Sequence, residues 1–195
     1  MTQRLSLPWS ASAFEHRYRK TEDPWNFATS PYERNRYQTI LSALMRPAYG
    51  RAFEPGCSIG ELTVLLSGRC ESVLATDVSA SAVATAKRRC AGLSNVEIRR
   101  EQFSDATFPK EAFDLIVLSE LMYYLSSREA ADVSANIHKH LLPGGELVAV
   151  HWLGHSNDHQ LHGDQVYNIL TASVQLQWAK GMRHKGFRID SWKQM

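Results

Sequence analysis

The sequence has no long apolar run, no paired cysteines and no large excess of charge of either sign, and each absence excludes a class of protein. No apolar stretch among its 195 residues approaches the roughly 20 residues that a membrane-spanning helix needs. The first twelve residues also lack the apolar core of a signal peptide. We therefore expect neither a membrane partner nor export.

Cysteine usage and charge exclude further classes of protein. The three cysteines, Cys57, Cys70 and Cys90, form no Cys-x-x-Cys pair and leave one unmatched. This pattern favours reduced thiols in a cytoplasmic protein. The formal net charge is only +2, with charges of both signs spread along the chain, so no basic surface for nucleic acid is indicated.

Strand and helix signals alternate from residue 51 onward. They predict strands at 51–54, 72–76, 96–99, 113–118 and 146–150, and helices at 61–67, 80–90 and 127–141. Such alternation is typical of a parallel sheet with helices on both faces. Two further strands, at 174–182 and 187–192, flank a turn at Lys185-Gly186 and predict an antiparallel hairpin. Leu142-Pro143-Gly144-Gly145 is expected to turn the chain into the fifth strand.

Two helices are predicted ahead of the sheet. Ser12 with Glu15 fits a capping box for the first, and Ser30-Pro31 with Glu33 is a stronger start for the second.

The length of the chain favours a single domain. We expect one domain over residues 1–195, with a helical cap over 1–49 and a core with a C-terminal hairpin over 50–195.

The stretch Gly56-Cys57-Ser58-Ile59-Gly60 follows the first predicted strand and allows three interpretations. Its letters fit the G-x-S-x-G nucleophile elbow of serine hydrolases, but only two helices precede it, whereas an elbow normally follows several strands. A nicotinamide-binding loop needs G-x-G-x-x-G, and Ser58 breaks that pattern. Asp77, after the second strand, still stands where an acid accepts the hydroxyls of a bound ribose. A loop that binds another adenosine-containing ligand fits both facts.

With E-x-G-x-S-x-G from Glu54 to Gly60, Asp77 after the second strand and the late hairpin, the chain resembles the class I S-adenosylmethionine-dependent methyltransferases. The resemblance implies a Rossmann-like α/β fold with sheet order 3-2-1-4-5-7-6 and strand seven antiparallel. It also implies S-adenosylmethionine as the methyl donor and S-adenosylhomocysteine as the product. Ser58 then replaces a glycine in the loop under the donor and is not a nucleophile.

A narrower resemblance rests on four segments. They are Asp23-Pro24-Trp25, Ser30-Pro31-Tyr32-Glu33 with Arg36-Tyr37, Ser119-Glu120-Leu121-Met122-Tyr123-Tyr124-Leu125, and His151-Trp152. Together they resemble the nodulation-factor N-methyltransferase (NodS) family over roughly residues 14–170. The member that gives the family its name methylates the amino nitrogen of a glucosamine-based oligosaccharide. The resemblance implies a small-molecule N-methyltransferase with a sugar-like acceptor. Methylation of oxygen is one alternative, and a binding module without activity is another.

The fold that this resemblance implies assigns the donor-binding residues. Glu54 is expected to bind the donor's amino group, Asp77 its ribose and Arg36 its carboxylate, with Gln102 and Phe103 at the adenine. The full expected set is Trp25, Tyr32, Arg36, Glu54, Gly56, Cys57, Ser58, Gly60, Asp77, Val78, Gln102, Phe103, Ser119, Glu120 and Tyr124.

Catalysis is assigned to His151, Glu120 and Tyr123, which end or follow the fourth and fifth strands. Glu120 is expected to attract the acceptor's ammonium, and His151, a residue type that titrates near neutral pH, to take its proton. A structural role is the alternative for His151. Tyr123 is expected beside the positively charged sulfur, with a place in the core as its alternative.

Four histidines follow the fifth strand. His151, His155, His159 and His162 have spacings that would suit one face of a metal-binding helix. Glycine and short polar residues stand among them, no cysteine ligand accompanies them, and the segment is therefore expected to be a loop that holds no metal.

Overall fold

The centre of the fold is a seven-stranded sheet in a computed structural model that describes residue 7 and residues 9–195. The strands are β1 Tyr49–Pro55, β2 Cys70–Asp77, β3 Val96–Arg100, β4 Phe113–Ser119, β5 Leu141–Trp152, β6 Gln177–Arg183 and β7 Phe187–Lys193. Their order is β3-β2-β1-β4-β5-β7-β6, and β7 runs antiparallel to both of its neighbours. The predicted fold class and strand order are confirmed.

Six α-helices accompany the sheet in the described residues. They are α1 Ala11–Lys20, α2 Pro31–Ala43, α3 Glu61–Ser67, α4 Ala80–Arg89, α5 Ser127–Asn136 and α6 Gly163–Ser173. None of them is both long enough and apolar enough to cross a bilayer.

The central strand β4 explains how the layers pack. Its residues alternate between two cores because successive strand side chains point to opposite faces. Ile116 and Leu118 pack with residues of α5 and α6, whereas Leu115 and Val117 pack with residues of α2 and α3. All four side chains are completely buried. A continuous apolar strand of this kind requires cover on both faces.

One carboxylate of α1 helps to hold the helical cap against the core. Glu15 of α1 accepts hydrogen bonds from the Ser79 hydroxyl at 2.8 Å and from the Ser81 amide at 3.1 Å, at the start of α4. These bonds, with the Ser79 hydroxyl bond largest, lower the pKa of Glu15 to about 2. The contact holds α1 beside the C-terminal end of β2.

Two local predictions are wrong, and one helix was missed. Helix α1 is capped by Ser10, whose hydroxyl accepts from the Ala13 amide, and not by Ser12. Residues 142–145 lie inside β5, because Gly144 and Gly145 exchange backbone hydrogen bonds with Gln194 and continue the sheet. Helix α6 was not predicted from the sequence.

Candidate functional site

A cavity of about 450 Å³ opens at the C-terminal ends of β1, β2 and β4. Its remaining walls come from α1, α2 and the loop after β5. This volume falls in the range of small-molecule sites, and the position is where ligands bind in open α/β sheets.

The loop after β1 forms the floor of the cavity through its backbone. Gly56, Ser58 and Gly60 all have positive φ angles, of 72°, 52° and 84°. A Cβ on Gly56 would lie 3.0 Å from a methyl carbon of Leu121, so this position requires glycine. The turn thus brings main chain to the place where a ligand would lie.

Ser58 is held as a structural residue. Its Oγ accepts a hydrogen bond from the hydroxyl of Tyr18 in α1, and its amide donates to Asp77 at 3.0 Å. In the described residues no histidine bonds to Ser58. The interpretation as a serine nucleophile therefore has no geometric support.

We predict that Ser58→Ala lowers the free energy of unfolding by about 1–3 kcal/mol, because the buried Tyr18 hydroxyl loses its acceptor. Adding Tyr18→Phe should recover most of this loss, since both polar partners are then gone. Urea denaturation measures both effects. Ser42→Ala, at an exposed position on α2, is the matched control, and losses as small as the control's would show that the bond does not stabilise the fold.

Two buried carboxylates face the cavity from β1 and β2. Asp77 accepts from the amides of Ser58 at 3.0 Å and Ser79 at 2.8 Å, and burial raises its pKa to about 6. Glu54 accepts from the Thr63 hydroxyl at 2.6 Å, and burial raises its pKa to about 8. Each keeps acceptor capacity for a ligand, because a carboxylate offers about four lone-pair sites.

Most of the expected site residues line this cavity. Those that do are Trp25, Tyr32, Arg36, Glu54, Gly56, Cys57, Ser58, Asp77, Val78, Gln102, Phe103, Ser119, Glu120, Tyr123 and Tyr124. Gly60 does not, because it lies behind the floor, where a Cβ would be 3.2 Å from Ala86 of α4. Its role is to let α4 pack closely.

Glu120 and Arg36 both line the cavity and are bound to each other, which argues against the separate roles expected for them. Arg36 donates from Nη1 to Glu120 at 2.9 Å and contacts Glu33 through Nη2. Glu120 also accepts from the Tyr123 hydroxyl and the Trp152 amide, each at 2.8 Å. With three of its roughly four lone-pair sites engaged, Glu120 links α2 to the ends of β4 and β5, and its charge is already paired with Arg36. Both terminal nitrogens of Arg36 are likewise engaged by protein carboxylates.

His151 does not reach the cavity, and its expected role as the base is wrong. The ring is buried, and its Nε2 accepts from the Met122 amide at 3.3 Å. Burial, reinforced by the charges of Arg188 and Arg36, lowers the pKa of His151 to about 3. The acceptor nitrogen of this ring is already occupied by the Met122 amide, and a group with so low a pKa is too weak a base to retain a proton from an ammonium, so the geometry favours the structural alternative for His151.

The loop after β5 contributes cavity residues that the sequence did not assign. Gly154 permits the loop to fold back, because a Cβ there would lie 1.9 Å from the Trp152 ring. His155, Asp158 and His159 then line the cavity. In the sequence the two histidines were considered only as part of a possible metal site. Phe14 and Tyr18 of α1, also unassigned, are four residues apart, and that spacing could have indicated a helix face turned towards the site.

No group of three or more histidine, cysteine, aspartate or glutamate side chains in the described residues is arranged to hold a metal ion. We predict that the purified protein keeps its ligand binding and activity after dialysis against EDTA. Loss of either on dialysis, with recovery on adding back zinc or magnesium, would contradict this prediction. Elemental analysis of the dialysed sample provides the control.

Comparison with known proteins gives a consistent result. The family model for nodulation protein S (NodS) matches residues 12–152. Nodulation protein S of Rhizobium tropici is 36% identical over 132 residues, which cover 65% of this chain and 54% of that protein. Nodulation protein S of Sinorhizobium fredii is 31% identical over 140 residues, covering 68% and 62%. The chain thus spans between about half and two thirds of the length of these relatives.

One solved structure extends the comparison to the fold. The N-methyltransferase NodS of Bradyrhizobium japonicum WM9, in complex with S-adenosyl-L-homocysteine, superimposes with a TM-score of 0.82 at 24% identity. The match covers 94% of this chain and 98% of that one. At this identity the likeness supports the fold alone.

Proposed function

The chain belongs to the NodS family, and on that premise we propose that it transfers a methyl group from S-adenosylmethionine to the amino nitrogen of a small, polar, sugar-like acceptor. The relatives named nodulation protein S and the structure titled N-methyltransferase support this proposal. Because the chain spans only part of the curated relatives, the case rests mainly on its own residues.

The charge of the cavity carries the proposal. Seven carboxylates line it, those of Glu33, Glu54, Glu61, Asp77, Glu101, Glu120 and Asp158. Arg36 is the one arginine or lysine among the described lining residues. Arg89 and Arg17 offset Glu61 and Asp158 by ion pairs, and burial leaves Glu54 mainly protonated at pH 7. The acidic groups of Glu33, Asp77, Glu101 and Glu120 still outnumber Arg36 and leave an acidic site. Such a site favours cationic ligands, which both the donor and a protonated amine are.

The residues of the cavity fit the proposed donor. Asp77 holds acceptor positions for the two ribose hydroxyls, and Glu54 supplies a carboxylate for the amino group. Gly56 lets the main chain lie against the ligand, while Gln102 and Phe103 stand beside Asp77 for the adenine. S-adenosylmethionine supplies a methyl group on a positively charged sulfur, which makes that carbon electrophilic.

The acceptor would occupy the side of the cavity formed by the loop after β5. Trp152 and Tyr124 offer ring faces on which the apolar side of a sugar can lie. Most of the rate enhancement would come from holding the amine in line with the methyl group, which converts an encounter in solution into a reaction of bound groups.

A two-step experiment tests the proposal. Calorimetric titration with S-adenosylhomocysteine should show saturable binding, and incubation with S-adenosylmethionine and a panel of amines, including glucosamine and its oligomers, should give N-methylated product by mass spectrometry. Detection of a methylated hydroxyl group would identify the acceptor as an alcohol instead of an amine. Binding with no turnover of any amine or alcohol would favour a binding module, and the absence of binding would overturn the proposal.

The raised pKa of Glu54 predicts that ligand binding at the donor site releases protons. Its pKa of about 8 leaves the carboxyl mainly protonated at pH 7, since burial is the largest cause of the shift. An ammonium placed beside it favours the ionised form and lowers that pKa. We predict that adenosylhomocysteine binding at pH 7 releases a large fraction of one proton.

Calorimetry in two buffers of different ionisation enthalpy measures this release. Glu54→Gln should remove most of it, and adenosine, which lacks the amino acid portion, should release only the small fraction that comes from Asp77. Equal heats in the two buffers for the native protein would contradict the assignment of Glu54.

The cytoplasmic location and the lack of a nucleic-acid partner rest on cysteine usage and charge in the sequence. We propose both on those grounds.

A further inference from the structure

One histidine on the acceptor side of the cavity is fixed by aromatic rings. The ring of His159 stacks on Tyr123, with centroids 3.8 Å apart and planes 17° apart. Tyr124 and Trp152 contact it edge-on at 5.0 Å and 5.9 Å. The amides of the next two residues, Gln160 and Leu161, both donate to the Tyr123 carbonyl, at 2.9 Å and 3.1 Å. The orientation of His159 is therefore set by its surroundings.

The other acids that could take a proton in this part of the cavity are engaged. Glu120 accepts three hydrogen bonds, Glu33 contacts Arg36, and Asp158 pairs with Arg17 at 3.0 Å. By contrast, the ring nitrogens of His159 bond to no described residue, although the side chain lines the cavity and is only half-buried.

The surroundings of His159 favour its neutral form. Partial burial is the largest cause and lowers its pKa below the usual 6.5, while the Asp158 carboxylate raises it. His162 and Arg17 lower it further. The facing rings of Tyr123 and Tyr124 belong to phenols whose own pKa values are raised by burial. A neutral imidazole with a free nitrogen in the cavity is a competent proton acceptor.

We propose that His159 takes the proton from the acceptor amine. This rests on the proposed function and replaces His151 in that role. The bound ammonium first gives one proton to the free imidazole nitrogen, which frees the lone pair of the amine. That lone pair then forms the new bond between nitrogen and carbon while the bond between carbon and sulfur breaks and its electron pair stays on sulfur. The imidazolium passes its proton to solvent, and the methylated amine leaves as an ammonium. His159 lies beyond residues 12–152, which the family model matches, so the assignment concerns this chain's own loop.

The first test compares His159→Gln with His16→Gln, an exposed position on α1 outside the cavity. We expect His159→Gln to lower the turnover of glucosamine at pH 7 by roughly 10²–10⁴-fold, the usual range for a general base. The loss should shrink as the pH rises, because the amine then loses its proton unaided. Adenosylhomocysteine affinity should stay unchanged. A loss that does not vary with pH, or one no larger than that of His16→Gln, would overturn the proposal.

The second test does not depend on turnover. Imidazole resonances of the labelled protein are followed by NMR in the dead-end complex of adenosylhomocysteine and glucosamine, and the His159 signal is identified by its loss in His159→Gln. We expect glucosamine to shift the titration midpoint of His159. Shifts at other cavity residues that spare His159 would overturn this assignment alone. No shift anywhere, with donor binding intact, would overturn the proposed acceptor and this assignment with it.

Discussion

Arg36→Met is expected to lower the free energy of unfolding by about 3–5 kcal/mol, the usual cost of removing one partner from a buried ion pair. The Arg36 side chain is only 2% exposed and lies between the carboxylates of Glu33 and Glu120. Without the guanidinium, two largely buried carboxylates face each other with no compensating charge. Urea denaturation followed by circular dichroism measures the loss.

Two further variants make the result specific. Arg34→Met, on the exposed face of the same helix, should change stability by no more than about 0.5 kcal/mol. Adding Glu33→Gln and Glu120→Gln to Arg36→Met should recover part of the loss, because the uncompensated charges are then removed. Equal stability of the Arg36 and Arg34 variants would show that the bridge does not form.

The sequence was sufficient where local chemistry decides the structure. The apolar run of β4 predicted a strand covered on both faces, and Ser30-Pro31 predicted the start of α2, where the Ser30 hydroxyl caps the Glu33 amide. Gly56 and Gly60 predicted a turn after the first strand, and the positive φ angles observed at both positions are those that glycine adopts readily. Patterns of this kind need only neighbouring residues.

The sequence was insufficient where distant residues decide the role of a side chain. Arg36 in α2 and Glu120 after β4 are far apart in the sequence, and no local pattern in either segment predicts that they form an ion pair. His151 lies near the end of β5, at the edge of the sheet where ligands bind in such folds. Its side chain, however, accepts a hydrogen bond from the Met122 amide in the core. Residues 142–145 have the composition of a turn, yet pairing with Gln194 extends the sheet through them. In each case tertiary contact overrode the local signal.

Asp77→Asn is expected to weaken adenosylhomocysteine binding at least tenfold while the protein stays folded. Hydrogen bonds to a charged acceptor contribute about 1.5–3 kcal/mol, and about 1.4 kcal/mol corresponds to tenfold in affinity. The amides of Ser58 and Ser79 hold the carboxylate at the end of β2, facing the cavity. Asparagine keeps the size but loses the charge and one of the two acceptor oxygens, so the Ser58 or the Ser79 amide also loses its partner, and urea denaturation of the variant checks that the fold is retained.

The pH dependence provides an internal check on the same residue. Burial raises the pKa of Asp77 from 3.8 to about 6 in the folded state, so the folded protein binds the proton more tightly than the unfolded chain. The contribution of Asp77 to stability therefore falls as the pH rises from 3.8 to about 6 and is constant above that.

Ligand hydroxyls prefer the ionised acceptor, so the affinity for adenosylhomocysteine should move the opposite way and decline below about pH 6. Asp77→Asn should lose the part of this decline that Asp77 causes, whereas Asp132→Asn, exposed and paired only loosely with Arg128 at 3.8 Å, should keep the native profile. An Asp77→Asn profile that coincides with that of the native protein in both affinity and pH dependence would remove Asp77 from the donor site.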